Sequence, residues 1–223
     1  MAINPEVVAR TGLDLLAEVG LDGLTMRVVA DRLGVRAPTL YWHVKNKQHL
    51  LDAMAAVMFT EATAGLTPPG DVRDWPEWVA TRARTMRTIL LRYRDGARVF
   101  AGTNLTGPEM PRAMETTLRL LVDAGFDLPT AARGFAAVLH YTVGYTIEEQ
   151  ARQATAYDEN PYTPTALEKA FEPNRYPLAT KAAVEVFFGP DPDTDFNGGL
   201  AIIIAGLHSM PKARAPEPPN SGS

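Results

Sequence analysis

The sequence predicts an all-α protein, and three observations lead to that prediction. Apolar residues recur at helical spacing through most of the 223-residue chain, which is typical of helices that pack against a core. No stretch shows the sustained polar and apolar alternation of a half-buried strand. Glycine, proline and capping residues separate the periodic segments. We therefore expect a bundle of helices joined by short turns.

The first three predicted helices are short and closely spaced. The first carries an apolar stripe and ends at Gly20, where glycine stops the helical pattern. Thr25 is a good N-cap for the second helix, and Gly34 ends it. Pro38 suits the first turn of the third helix, where a missing N–H costs nothing.

A fourth helix and a larger helical body follow. Asn46 can cap the fourth helix, and the Pro- and Gly-containing segment 65–70 indicates a loop. Segment 96–108 indicates one short helix and a turn, and segment 154–176 a long loop with at most a short helix. The longer helices are expected near Asp74–Tyr93, Pro111–Ala124, Pro129–Arg152, Pro177–Phe188 and Asp195–Ser209.

The two long helices near 129–152 and 195–209 differ from ordinary surface helices. In each of them apolar or small residues occupy more than one face. Such faces must be buried against another element. The pattern allows two arrangements equally: both helices are central in a monomer core, or both pair with a second subunit.

Composition narrows the class of protein. The chain has no cysteine, so disulfides, thiolate metal sites and cysteine nucleophiles are excluded. The N-terminus shows no signal peptide, and the longest apolar run, 200–207, is too short to cross a membrane. We expect a cytoplasmic protein without a membrane partner, and a Pro/Ser-rich tail over 211–223 that is disordered.

Charge is distributed unevenly. The chain carries a net charge of −4, but five basic residues and one acid between Arg27 and Lys47 give that segment +4 and leave −8 for the remainder. A short basic segment on an acidic body is typical of a separate phosphate-contacting module. An ordinary solvated basic face would produce the same local charge.

Residues 25–43 have the parts of a helix-turn-helix. Gly34 can adopt the left-handed turn conformation between the two helices. The helix after it is too short to be stable alone, but Thr39, Tyr41 and His43 can reach phosphates or base edges. Lys47 can neutralise a phosphate just beyond it, and Arg27 can contact base or backbone.

These residues resemble the signature of the TetR family. The matching pattern is Thr25-Met26-Arg27-x-x-Ala30-x-x-Leu33-Gly34-Val35-x-x-x-Thr39-Leu40-Tyr41-x-His43. Similarity continues through 38–47, 90–99 and 115–126, and weakly through the last helices, so it covers most of the chain. The resemblance implies a homodimeric, ligand-responsive transcription regulator, most simply a repressor.

The domain arrangement and the operator contacts follow from this resemblance. It implies a helix-turn-helix DNA-binding domain over 1–45, a connecting helix over 46–64 and a ligand-binding and dimerisation domain over 65–210, with a four-helix dimer interface that includes the two late helices. The dimer would bind a palindromic double-stranded operator. Ala37 stands where tetracycline-binding members have glutamine and cannot make its bidentate contact to adenine, so the operator differs. The positions that match operator contacts are Arg27, Pro38, Thr39, Tyr41, Trp42, His43 and Lys47.

The resemblance also locates a ligand site and indicates that the ligand has changed. In tetracycline-binding members a histidine coordinates a drug-chelated magnesium ion, and Phe100 occupies that position here. A phenyl ring has no lone pair for a metal. We therefore expect no metal and no cofactor, and a polycyclic or aromatic effector other than magnesium-bound tetracycline. The expected lining is Thr63, Arg82, Met86, Phe100, Thr103, Thr117, Phe135, Leu139, His140 and Glu148.

Three further expectations complete the hypothesis. The segment from Arg94 to Thr103 is a hinge candidate, so valine at Gly96 or Gly102 should reduce induction more than DNA affinity. Glu148 and Glu149 point about 100° apart on a helix, so one is expected to be buried and the other solvated. That angle, and the lack of a nucleophile motif, argue against an enzyme. The alternatives left open are a dual regulator or activator, and an interaction module of the same fold that no longer binds DNA.

Overall fold

A computed structural model describes residues 3–105, 107–153 and 160–212 of the chain. Those residues form helices and connecting turns without any strand, so the all-α prediction is confirmed. None of the helices in these ranges combines the length and the apolar character that a membrane span requires. Segment 154–159 of the predicted loop over 154–176 lies outside the described residues. So does the part of the predicted disordered tail that follows residue 212.

Three N-terminal helices and a long connecting helix form the first part of the molecule. Their bounds are α1 Pro5–Gly23, α2 Met26–Arg32, α3 Ala37–Tyr41 and α4 Lys47–Ala62. Gly20 has φ +64° and interrupts α1 at the position where the sequence predicts its end. The side chain of Thr25 accepts a hydrogen bond from the Val28 N–H, and that of Asn46 accepts one from His49, which are the two expected N-caps.

The larger body contains the remaining helices. A short 3₁₀ turn at Val72–Asp74 leads into α5, and the last long helix packs against both α5 and α8. The helices of this body are α5 Trp75–Arg92, α6 Gly96–Ala101, α7 Glu109–Asp123, α8 Leu128–Gln153, α9 Pro164–Phe171, α10 Pro177–Ala182 and α11 Pro192–His208.

One predicted helix is interrupted in the structure. The sequence predicts a single helix near Pro177–Phe188, but α10 ends at Ala182 and continues as a π-helical turn over Ala183–Phe187. The Phe188 N–H donates to the Ala183 carbonyl at 2.9 Å, and a hydrogen bond between residues five apart is characteristic of a π-helical turn. The Phe188 ring then stacks on Tyr162, with centroids 5.1 Å apart, so a tertiary contact accompanies the change of pitch.

Two apolar clusters divide the core. The first joins α1, α2 and α3 to α4 and reaches α5 and α6, with Leu16, Leu40 and Met54 fully buried. The second joins α5, α7, α8 and α11 around Phe126 and Phe196. Helix α4 therefore packs against α1 along its length, from Lys47 to Glu61, and also contacts α5 and α6 of the body.

Candidate functional site

Helices α2 and α3 are held in a helix-turn-helix by backbone geometry and one buried leucine. Gly34 has φ +67°, the left-handed conformation that glycine adopts without strain. The Val35 N–H bonds back to the Ala30 carbonyl at 3.0 Å, which closes the end of α2. Leu40 is the fully buried residue of α3. This anchor fixes α3 and leaves most of its surface to solvent.

The side chains predicted to contact DNA are largely exposed at this helix. Pro38, Thr39 and Tyr41 are exposed, and the Trp42 side chain is 88% exposed. Tryptophan is enriched among the residues that contribute most to binding at interfaces, so a ring this exposed is a candidate contact. Arg27 is also exposed and lies 3.9 Å from the Asp31 carboxylate. The arrangement provides donors and an apolar ring on a basic segment.

Two of the predicted contacts are partly buried. His43 is half-buried, and its backbone N–H donates to the Leu40 carbonyl at 2.9 Å. Lys47 is half-buried, and its Nζ donates to the Leu21 carbonyl at 3.1 Å. A lysine ammonium has three donors, so this bond near the end of α1 leaves further donors for a phosphate.

A cavity lies between α4, α5, α7 and α8. Its volume is about 90 Å³, or about 730 Å³ when all the space between its walls and the open solvent at its mouth are counted. The walls are mainly apolar and aromatic. The lining residues are Phe59, Ala62, Thr63, Leu66, Trp78, Val79, Arg82, Ala83, Met86, Ala113, Thr117, Leu121, Gly134, Phe135, Val138, Leu139, Thr142 and Leu207.

The structure brings six of the ten predicted ligand residues into this cavity. They are Thr63, Arg82, Met86, Thr117, Phe135 and Leu139. Sequence reasoning missed Trp78, Ala83 and other positions on the same helix faces. Helical spacing from Arg82 and Met86 would have found the two on α5, because residues three and four apart share a face.

The other four predicted residues do not line this cavity, and their role in ligand binding stays a prediction. Phe100 is buried beside Phe59, with ring centroids 6.3 Å apart. The Thr103 hydroxyl donates to the Phe100 carbonyl at 2.8 Å. His140 and Glu148 are exposed, because each lies on a different side of α8 from Leu139, about 100° further round for His140.

The cavity has few polar groups, and only some of them have hydrogen-bond partners. The threonine hydroxyls donate to carbonyls of their own helices: Thr63 to Phe59 at 2.8 Å, Thr117 to Ala113 at 2.8 Å and Thr142 to Val138 at 2.7 Å. Arg82 differs. Its Nε is buried without a hydrogen-bond partner among the described residues, and burial lowers the pKa of the guanidinium.

An ion network around the buried side chains of Arg87 and Glu149 was not predicted from the sequence. Arg87 forms a bidentate pair with Glu149, at 2.8 Å for both bonds, and a 2.6 Å bond with Asp193. Burial alone would lower the pKa of Arg87, but the hydrogen bonds to Glu149 and Asp193 raise it above its ordinary value. The network joins α5, α8 and α11. It also makes Glu149 the buried member of the Glu148–Glu149 pair, as the angle between them predicts.

Helix α6 connects the body to the N-terminal helices. Asp95 has φ +58°, and its Oδ2 accepts a 2.9 Å bond from the Leu21 N–H at the end of α1. At the other end of α6, Gln48 of α4 donates to the Gly102 carbonyl at 3.0 Å. The Gln150 amide of α8 accepts from the Ala97 N–H at 3.0 Å. These bonds therefore join α6 to three other helices, α1, α4 and α8.

The residues present do not fit a magnesium-chelated ligand. Phe100 offers no donor atom and is packed into the core. The one ionisable side chain of the cavity lining is the cation Arg82. In the part of the chain that the structure describes, no group of three or more His, Cys, Asp or Glu side chains could share a metal ion.

Comparisons with protein families match both parts of the chain. Residues 9–54 match the family described as bacterial regulatory proteins, tetR family, and residues 67–210 match the tetracyclin repressor-like C-terminal domain. The chain is 42% identical over 210 residues to the class C tetracycline repressor protein of Escherichia coli, and the match covers 93% of this chain and 92% of that protein.

Solved structures match the fold described above. A possible TetR family transcriptional regulator from Streptomyces coelicolor A3(2) superimposes with a TM-score of 0.80 at 40% identity, over 92% of this chain and 98% of that one. The Streptomyces coelicolor TetR family protein ActR, in complex with actinorhodin, gives a TM-score of 0.78 at 30% identity, over 93% and 97% of the two chains. The family resemblance is confirmed: this chain belongs to the TetR family of bacterial regulatory proteins.

Proposed function

We propose that this chain is a ligand-responsive transcriptional repressor that is released from a palindromic operator when a small molecule binds its cavity. The observation that carries the proposal is the position of α4. This helix begins beside the DNA-contacting residues, where Lys47 bonds to α1, and ends at the cavity wall with Phe59 and Thr63. A change at the cavity can therefore reach the DNA-contacting helices through one rigid element.

The coupling is a difference in binding between two arrangements of the homodimer. One arrangement places the two copies of α3 for adjacent major grooves about one helical turn apart. The effector stabilises the other arrangement, and operator affinity falls by the coupling free energy, typically ~1–3 kcal/mol. Residues 1–45 would contact DNA, 46–64 would transmit the change, and 65–210 would bind the effector and the second subunit.

In the proposed function the protein binds an operator and an effector and catalyses no reaction. The cavity lining holds no carboxylate, imidazole or thiol that could serve as a general base or nucleophile. An operator on bacterial DNA also assigns the protein to the cytoplasm. The effector is proposed to bind without magnesium, because Phe100 and the cavity lining supply no metal ligand.

Operator binding tests the proposal directly. We expect the purified full chain to bind an inverted repeat from the DNA adjoining its gene with a Kd of roughly 10⁻⁸ M or tighter at physiological salt. Replacing Thr39 and Trp42 together by alanine should weaken binding at least about tenfold, since both side chains would lose contacts to DNA. Fluorescence anisotropy of the labelled operator measures both.

The control is Thr116→Ala, which changes a half-buried threonine on α7, outside the helix-turn-helix, and should leave operator affinity unchanged. Failure of the wild-type chain to bind any inverted repeat near its gene would contradict the repressor function. Release of the operator by low-micromolar tetracycline with magnesium would contradict the metal-free effector.

A further inference from the structure

Arg82 is a charged side chain on the cavity wall, and the described residues provide no partner for it. It is half-buried, its Nε is shielded from solvent, and it forms no hydrogen bond or ion pair with the described residues. A buried polar group without a partner destabilises a protein, and a charged one more so. Arginine does not relieve this by losing its proton, because its pKa is too high.

A second arginine on the same helix, Arg87, has carboxylate partners for its guanidinium. Arg87 lies five residues further along α5 and is bonded to the carboxylates of Glu149 and Asp193. No Asp, Glu or His is among the eighteen residues that line the cavity around Arg82. Among the described residues, two carboxylates therefore pair with the buried guanidinium of Arg87 and none pairs with that of the half-buried Arg82. A partner for Arg82 would have to enter the cavity.

The remaining polar groups of the cavity complement a guanidinium. The hydroxyl protons of Thr63, Thr117 and Thr142 are already donated to backbone carbonyls. Their oxygens retain lone pairs and can accept a hydrogen bond from a ligand. The cavity thus offers strong donors at Arg82 and weak acceptors at the threonines, on walls that include the rings of Phe59, Trp78 and Phe135.

We propose that the effector is an aromatic anion whose charged oxygens bind Arg82. This inference rests on the proposed function, since it specifies the chemical class of the molecule that the cavity accepts. The anionic group is a carboxylate, phenolate, enolate or sulfonate, the aromatic part packs against the apolar walls, and any hydroxyl or N–H donor of the ligand faces the threonines. Arg82 then supplies the charge complement that a metal ion would otherwise supply.

A pair of fluorescent probes that differ in charge tests this class. 1-Anilinonaphthalene-8-sulfonate and N-phenyl-1-naphthylamine share one aromatic skeleton, and the first carries a sulfonate. We expect the full chain to bind one equivalent of the sulfonate per protomer. Arg82→Gln should weaken that binding about tenfold or more, the usual range for loss of a charge-assisted hydrogen bond. Binding of the neutral probe should change by less than about twofold, because its contacts are apolar.

Two further variants separate charge from folding. Arg82→Lys keeps the charge and should retain most of the preference for the sulfonate. Arg119→Gln removes an exposed arginine on α7, whose side chain is 70% exposed, and should affect neither probe. Circular dichroism and thermal melting of each variant show whether it is folded.

The outcomes distinguish this inference from the proposed function. Equal sulfonate affinity in wild type and Arg82→Gln, or an equal loss for both probes in a folded variant, would overturn the inference. The operator measurement is independent of it. A chain that binds the sulfonate through Arg82 but binds no operator would retain the anion site and contradict the repressor function. A chain that binds operator but shows no Arg82-dependent preference would contradict the anion site alone.

Discussion

At the scale of single residues, Arg87 and Glu149 form the most buried ion pair of the described residues, with side chains 9% and 6% exposed. Both guanidinium bonds to Glu149 are 2.8 Å long, and the guanidinium carbon also lies 5.0 Å from the centre of the Phe196 ring. Removing two charges from water costs free energy, and their mutual attraction offsets that cost only while both charges are present. The pair, together with the bond from Arg87 to Asp193 of α11, therefore holds α5, α8 and α11 in one arrangement but adds little to the free energy of unfolding.

This view predicts the effect of breaking the pair. Glu149→Gln should lower the free energy of unfolding by about 3 kcal/mol, because Arg87 keeps its charge and loses its buried carboxylate. Arg87→Met combined with Glu149→Leu should be closer to wild type than Glu149→Gln is. Urea denaturation followed by circular dichroism at one protein concentration measures all three.

The control is Glu115→Gln, which breaks the exposed pair with Arg119 on α7 and should cost no more than about 0.5 kcal/mol. A double variant less stable than Glu149→Gln would show that the pair itself contributes a net stabilisation and would contradict the argument.

The burial of individual residues could be predicted from the sequence where it depends on the geometry of a single helix. The split of Glu148 and Glu149 into an exposed and a buried carboxylate follows from their 100° separation and is confirmed. Which carboxylate is buried depends on Arg87, which lies 62 residues away in sequence. No local pattern contains that contact, and for this reason the ion network was missed.

At the scale of elements, the junction of α5 and α6 shows how tightly one turn is built. Gly96 begins α6, and a Cβ placed there would lie 2.4 Å from the Leu90 carbonyl oxygen of α5. A Cβ on Gly102, at the other end of α6, would have no neighbour within 4 Å. The two glycines of the predicted hinge therefore have different roles: the first is required for packing, and the second is not.

The two glycines give a matched pair of variants. Gly96→Ala should lower the free energy of unfolding by about 2 kcal/mol or more, because backbone must move to admit the methyl group. Gly102→Ala should change it by no more than about 0.5 kcal/mol, since the added methyl meets nothing. Thermal melting by circular dichroism compares them.

The result also refines the valine experiment expected from the sequence. Valine at Gly96 would disturb folding before it could report on induction, whereas a substitution at Gly102 tests the hinge with the fold intact. Equal stability of the two alanine variants would mean that α5 and α6 can separate without cost.

Helix boundaries could be predicted from the sequence wherever a cap or a breaker marks them. Thr25 and Asn46 are such marks, and the structure begins α2 and α4 directly after them, while Gly20 marks a break within the last turns of α1. The π-helical turn after Ala182 carries no such mark. It coincides with the stacking of Phe188 on Tyr162, a contact that a local pattern does not encode.

At the scale of the whole molecule, the late helices present a surface that a single chain does not cover. On α8 the residues Arg133, Ala137, His140, Gly144 and Glu148 form one exposed stripe. On α11 the Ile202 side chain is 75% exposed, beside small residues. The apolar periodicity of these two helices is compatible with burial in a monomer core and with burial against a second subunit. The exposed faces favour the four-helix interface of the family homodimer.

This surface predicts the oligomeric state of a variant. Ile202→Glu should convert the dimer into monomers and should weaken operator binding at the same concentration, because a charge would be buried against the second subunit. Light scattering after gel filtration measures the mass, and anisotropy measures operator binding.

The matched control is Val122→Glu, which places the same charge on an exposed valine of α7 and should remain dimeric. An Ile202→Glu variant with the mass of two chains would exclude this face of α11 from the interface.

The shared packing of α1 and α4 determines where this protein could be joined to a relative. Gly12 lies so close to α4 that a Cβ there would be 2.8 Å from the Met54 sulfur, and Leu50 and Met54 are fully buried in the same cluster as Leu16. A chimaera cut at residue 45, the sequence-based boundary, would combine two surfaces that did not evolve together. A cut after Met58 would transfer the operator-reading helices with their own support. The effector-binding half could then be exchanged as a sensor module.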